Sequence, residues 1–166
     1  MPHIRGFPPI ARPNATTLIL GSMPSRESLR LQQYYAHARN GFWPILDELL
    51  DLRATTYRQK IDGVLERRIA IWDVLQACFR SSSLDSDIDD STITTNDFNA
   101  FYSQHPEISR VFFNGAKAES VYRKHVLPNL NDDKARLPLR RLPSTSPAHA
   151  AMTIAEKLQA WKAILN

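Results

Sequence analysis

The chain has 166 residues, 43% of them hydrophobic, which is enough for one globular domain spanning 1–166 to enclose a full core without staples. Lys and Arg outnumber Asp and Glu by 21 to 17, a formal +4 that suits a nucleic-acid partner without requiring one. Cys78 is the only cysteine, so an internal disulfide and a four-thiolate iron–sulfur cluster are excluded, and its expected place is a small buried apolar position.

The opening segment MPHIRGFPPIARPN lacks the long apolar core of a signal peptide, and no later run approaches the ~20 apolar residues of a membrane span. A soluble, cytoplasmic protein with no membrane contact is expected. Short apolar runs predict strands at 17–20, 69–72, 110–113 and 137–139. Between them, Trp43, Ile45, Leu46, Leu49 and Leu50 recur at helical spacing, with Pro44 suited to a first turn. Further helices are predicted at 56–67, at 96–103 with Thr95 or Asn96 as the N-cap, at 116–125 and at 152–165. The last carries Ile154, Leu158, Trp161 and Leu165 on one face. Alternation of strand and helix predicts a three-layer α/β/α sandwich around a mostly parallel sheet. The polar, acidic stretch SSSLDSDIDDST, residues 81–92, reads as an exposed loop, yet it follows a strand at the end of the sheet where sites collect.

The first strand runs into GSMPSRES, and ligands of open α/β sheets bind beyond the carboxyl ends of strands. Ser22 and Ser25 occupy this turn, but it lacks the G-x-S-x-G elbow of a nucleophilic hydrolase. The five histidines are scattered without ligand-like spacing, so no metal is expected. One glycine and no G-K-[ST] ending exclude a nucleotide P-loop, although backbone amides ahead of a helix can still hold one phosphate. The last strand is followed by LPSTSPAHA, with Arg140 and Arg141 just before it. Two loops of small hydroxyls and stiff prolines in matching positions point to gripping a phosphodiester backbone, through Pro24 and Ser25 in one and Ser144, Thr145, Ser146 and Pro147 in the other.

GSMPSRESLRLQQYYAHARNGFW resembles the first motif of the uracil-DNA glycosylase superfamily, and LPSTSPA resembles the second, the loop that pinches DNA. GFPPI, YYAHARNGFW, IWDVLQACFRSSSLDSDI and FFNGAKA resemble the hypoxanthine (deoxyinosine) DNA glycosylase branch, so the likeness runs in order along nearly the whole chain. The resemblance implies a short, mainly parallel four-stranded sheet between helices. It also implies an enzyme that takes a deaminated base out of the stack of damaged DNA and hydrolyses its bond to the sugar without any cofactor, a step of base excision repair. A monomer is expected.

Where many superfamily members carry Asp or Asn as third residue of the first motif, this chain has Met23, which can neither accept a proton nor orient water. The resemblance moves that duty to Asn40, which would hold a water by accepting one hydrogen bond while the sugar cation forms, so that positioning matters more than basicity. Backbone amides around Ser22 and Met23 and the side-chain amide of Asn114 are candidate donors to the leaving purine. Phe42 is the candidate to stack on the extruded base, with a core position as the alternative, while Trp43 reads as core. A carboxylate accepting from N1–H would prefer hypoxanthine to adenine. Asp73 is best placed for this, with Asp85 and Asp87 as alternatives and turn formation favoured for Asp87. Small Ser25 permits a purine where uracil-restricted relatives carry a Tyr wall. No lysine in either motif implies a monofunctional enzyme. Leu142 and Ala148 are both candidates to approach the groove, and Leu142 stands where many relatives have a His. A uracil or mismatch-specific enzyme of the same fold and a non-catalytic DNA-binding domain are the alternatives.

Overall fold

A computed structural model describes residues 2–166. Strands β2 (Thr17–Gly21), β3 (Ile69–Asp73), β6 (Arg110–Asn114) and β7 (Leu139–Leu142) form a wholly parallel sheet in the order β3-β2-β6-β7. β2 and β3 are buried along their full length, as a parallel strand covered on both faces requires. Alternate side chains feed two cores. Leu18, Leu20, Ala70, Trp72, Val111 and Phe113 enter one, and Ile19, Ile69, Ile71 and Phe112 enter the other. Helices α4 (Phe98–Gln104) and α5 (Ala116–Val121) cover the first face, while α2 (Phe42–Leu50), α3 (Tyr57–Glu66) and α7 (Ile154–Trp161) cover the second. This is the expected α/β/α sandwich.

The fourth strand lies later than its apolar run suggested. Leu139 pairs with Val111 and Leu142 with Asn114, so the paired segment includes Arg140 and Arg141, whose exposure on an edge strand hides it from a hydrophobicity reading. A second, antiparallel sheet of β1 (His3–Arg5), β4 (Leu75–Phe79) and β5 (Thr94–Thr95), in the order β1-β4-β5, adds strands beyond the four expected. Two short helices also lie outside the sequence expectations: α1 (Arg26–Leu31) and α6 (Asp132–Ala135).

Helix boundaries follow local chemistry. Thr56 and Thr153 each form a full capping box, with Gln59 and Glu156 respectively. Asp97, rather than Thr95 or Asn96, caps α4 by accepting from the Ala100 N–H, which leaves Asn96 free to donate to the Asp73 carbonyl. The predicted helix at 116–125 is α5 followed by a π-turn, Tyr122–Val126. On the last helix the expected apolar face is corrected: Ile154 and Leu165 are half exposed, and Lys157 is buried instead. No helix among the described residues is long and apolar enough to cross a membrane.

Candidate active site

The carboxyl ends of all four parallel strands open into one cavity of about 730 Å³. β2 delivers Gly21 and Ser22, β3 delivers Asp73, β6 delivers Asn114 and Gly115, and the loop after β7 delivers Ser144 to Ser146. Residues 83–86 of the acidic segment close one side and Tyr35 and Asn40 line the cavity as well.

The first loop is pinned from below. The Gly21 and Ser22 carbonyls accept from the Val74 and Leu75 amides, and the Pro24 carbonyl accepts from the Arg80 guanidinium at 2.6 Å. Ser22 Oγ donates to Asp85 Oδ1 at 2.5 Å, so the serine's partner is a carboxylate and not the histidine a nucleophilic triad requires. Ser25 is the N-cap of α1: its hydroxyl accepts from the Ser28 N–H and donates to Ser28 Oγ. That hydroxyl is engaged within the fold as the cap of α1, and half-buried Ser25 also lines the cavity. Met23 is nearly buried, packs into the core and also lines the cavity.

The second loop is pinned from the side. Asn114 Nδ2 donates to Thr145 Oγ1 and the Thr145 N–H donates to Asn114 Oδ1, both at 2.9 Å. The Thr145 carbonyl accepts from the Gly41 amide, tying the loop to the residue after Asn40. Thr145 is 1% exposed, so its side chain joins strand to loop and is withdrawn from any DNA surface. Asn114 likewise has its carbonyl and one amide proton spent on Thr145, which leaves its second amide proton as the one it can offer into the cavity it lines. Ser144 and Ser146 keep hydroxyls on the cavity wall, each also accepting from a backbone amide two residues on. Trp161 and Lys157 of α7 hold the Pro143 and Ser146 carbonyls. Gly115, at φ +97°, lets β6 pass this loop: a Cβ there would lie 3.1 Å from that of Ser144. Pro147 is half-buried beside the loop, Ala148 reaches the cavity rim, and Leu142 is buried in the core and does not line the cavity.

Asn40 is half-buried, and its Oδ1 accepts from the Phe42 N–H at 2.9 Å. That bond fixes the amide plane and leaves the oxygen's second lone pair available. Phe42 is completely buried, with its ring stacked 3.8 Å from that of Tyr35 and edge-on to Trp161. The core alternative for Phe42 therefore holds, and of the two tyrosines that line the cavity, Tyr34 and Tyr35, the second is the one stacked on Phe42. Sequence reasoning passed over it because adjacent Tyr34 and Tyr35 look alike. Tyr34 turns its hydroxyl back to the Pro8 carbonyl, whereas Tyr35 adopts a left-handed φ of +56° that swings it toward the cavity. Such a conformation costs a non-glycine residue about 1–2 kcal/mol and collects at functional sites.

Asp73 is 4% exposed on the cavity floor, and its Oδ2 has no hydrogen-bond partner. Burial first, and then the neighbouring Asp85, push its carboxyl up to about 7, against the opposing pull of Arg80. Arg80 is itself fully buried, with Nε and Nη1 unpartnered, and burial lowers its basicity. The Tyr35 hydroxyl is also buried without a partner, and burial together with Asp73 raises it above its ordinary value, so it stays protonated. Asp85 lies within the cavity, while Asp87 accepts from Ser82 and shapes the loop, as turn formation predicted.

The sequence profile of the uracil DNA glycosylase superfamily matches residues 8–165. The chain belongs to this superfamily of DNA glycosylases. A protein from Methanosarcina acetivorans named hypoxanthine DNA glycosylase is 36% identical over 147 residues, covering 82% of this chain and 92% of that one. Its Methanosarcina barkeri counterpart, with the same name, is 36% identical over 69% of this chain and 72% of its own. A solution NMR structure of a candidate uracil DNA glycosylase from M. acetivorans superposes with a TM-score of 0.77, at 32% identity over 99% of both chains. Superfamily membership makes DNA the substrate of this glycosylase.

Proposed function

We propose that the enzyme is a monofunctional glycosylase that excises hypoxanthine from DNA after extruding the nucleotide into the cavity. The observation that carries this reading is Asp73: a buried carboxylate with one unspent oxygen at the end of β3, suited to accept from a purine N1–H. Adenine presents a lone pair at N1 and would face that oxygen unpaired, a mismatch that a buried polar site rejects strongly. The names of the two Methanosarcina relatives support the same base. In this reading the C1′–N9 electron pair leaves with the purine. Asn40 holds a water by its remaining lone pair, and that water adds to C1′ of the sugar cation, its released proton balancing the one the purine anion takes up. Backbone amides at Ser22 and Met23 serve the charge on the departing base, and the hydroxyls of Ser144 and Ser146 with the Pro24 turn seat the flanking backbone. The lone, buried thiol Cys78 suits a monomer working in the cytoplasm.

The test is excision from duplexes carrying one hypoxanthine or one uracil, with wild type beside Asn40→Ala. Hypoxanthine release that falls about 100-fold or more in the variant is expected. Release of uracil alone overturns the choice of base, and release of neither favours a DNA-binding domain.

A further inference from the structure

Tyr35 is unused by the reading above, yet its hydroxyl is one of the orphaned buried polar atoms of the molecule. Leaving a buried hydroxyl unpaired is costly, so its persistence calls for a partner supplied from outside the chain. The hydroxyl also has a specific neighbour. A Cβ built on Gly21 would lie 2.5 Å from Asp73 Oδ1 and 2.9 Å from Tyr35 Oη. Both oxygens thus crowd one backbone position on the cavity floor, reachable by adjacent atoms of a single ring, and a glycine is what allows their approach. The side chain of Asn114 faces the hydroxyl oxygen as a donor, and the O–H itself has no acceptor within the protein. The ring is immobilised by the stack on Phe42.

We propose that Tyr35 and Asp73 together read the lactam edge of an extruded base, Asp73 accepting from the ring N–H and the Tyr35 hydroxyl donating to the adjoining carbonyl oxygen. This rests on the reading that the cavity receives an extruded base, and it widens the substrate class. Hypoxanthine offers N1–H beside O6, and uracil offers N3–H beside O4. Adenine and cytosine, the parents of these two by deamination, offer a bare nitrogen beside an amino group: the nitrogen meets the Asp73 carboxylate lone pair to lone pair, while the Tyr35 hydroxyl loses its donation to an oxygen and can only turn to accept. Guanine and thymine carry the lactam edge as well, but they sit in matched pairs, where extrusion is dearer than from a mismatch. The floor therefore detects loss of an exocyclic amine, and the cost of unpairing supplies the remaining selectivity.

The deciding variant is Tyr35→Phe, which keeps the ring, its stack on Phe42 and the backbone turn. Single-turnover excision of hypoxanthine and of uracil is measured at saturating enzyme, alongside affinity for the uncleaved duplex and the thermal midpoint of the free protein. The expected result is a roughly 10- to 100-fold slower cleavage of both bases, unchanged duplex affinity, and a thermal midpoint equal to or above wild type, since an unpaired hydroxyl has been removed. Unchanged cleavage of both bases overturns the proposal. So does slower cleavage accompanied by a lowered thermal midpoint, which would make the hydroxyl a structural group. Wild type that removes neither base sinks the glycosylase reading and this proposal with it, whereas an active wild type with an indifferent variant sinks this proposal alone.

Discussion

The floor and the rim of the cavity are built on opposite principles. Around the rim several polar side chains are spent within the protein: Ser22 on Asp85, Asn114 on Thr145, Ser25 on Ser28, Lys117 on Asp90. On the floor, Asp73 Oδ2 and Tyr35 Oη have no partner although both are buried. Polar groups spent on one another hold the loops around the cavity in place, and buried groups left unspent are the ones a ligand can complete. The rim is a frame that holds its shape unaided, and the floor is completed only by what enters.

Substitutions on the floor should then separate activity from stability, and those on the rim should lower stability first. The largest effect is expected for Asp73→Asn, with hypoxanthine excision falling about 10²- to 10⁴-fold. Stability should move the other way. The carboxyl stands near 7 in the fold against an ordinary 3.8, so its protonated form is favoured on folding. That contribution is full below pH 3.8 and is lost as pH rises through about 7, where the buried charge becomes a cost on the order of a few kcal/mol. Thermal denaturation at pH 8 should therefore find Asp73→Asn more stable than wild type, with the difference vanishing at low pH. In wild type, excision that depends on ionised Asp73 should fall as pH drops through about 7, and a profile flat between pH 6 and 8 would detach this carboxylate from the reaction.

On the rim, Thr145→Val leaves Asn114 Nδ2 buried without its acceptor. A loss of about 1–3 kcal/mol in denaturant unfolding is expected, with activity falling because the second loop loses its anchor to β6. The smallest effect belongs to Ser25→Ala, which removes the cap of α1 and should cost about 1 kcal/mol. If Ser25→Ala weakens duplex binding more than it weakens the fold, its hydroxyl serves DNA after all and the rim is less self-contained than its hydrogen bonds suggest.

The layered architecture was legible because buried parallel strands must be continuously apolar and their covering helices must be amphipathic. β2, β3 and β6 all announced themselves in this way. β7 and the small antiparallel sheet did not, since edge strands tolerate exposed Arg140 and Arg141 and a half-exposed strand such as β4 follows no clean alternation. Among the site residues, Asn40 and Asp73 were legible from motif and position, and both line the cavity. Phe42 and Tyr35 were not separable. Both are aromatics in one motif, and only the left-handed turn at Tyr35 and the stack between the rings decide which one lines the cavity.

The order of apolar runs and the two hydroxyl-rich loops thus determined, by sequence alone, a parallel α/β sheet with its chemistry at the carboxyl ends of the strands. What only the tertiary structure decided is which polar atoms remain unspent. Hydrogen-bond accounting runs between residues far apart in the chain, as with Asn114 and Thr145 or Ser22 and Asp85, and no local pattern records it. Asp73 and Tyr35 are distant in sequence and meet over Gly21 because β2 and β3 are adjacent in the sheet, with Gly21 paired to Asp73.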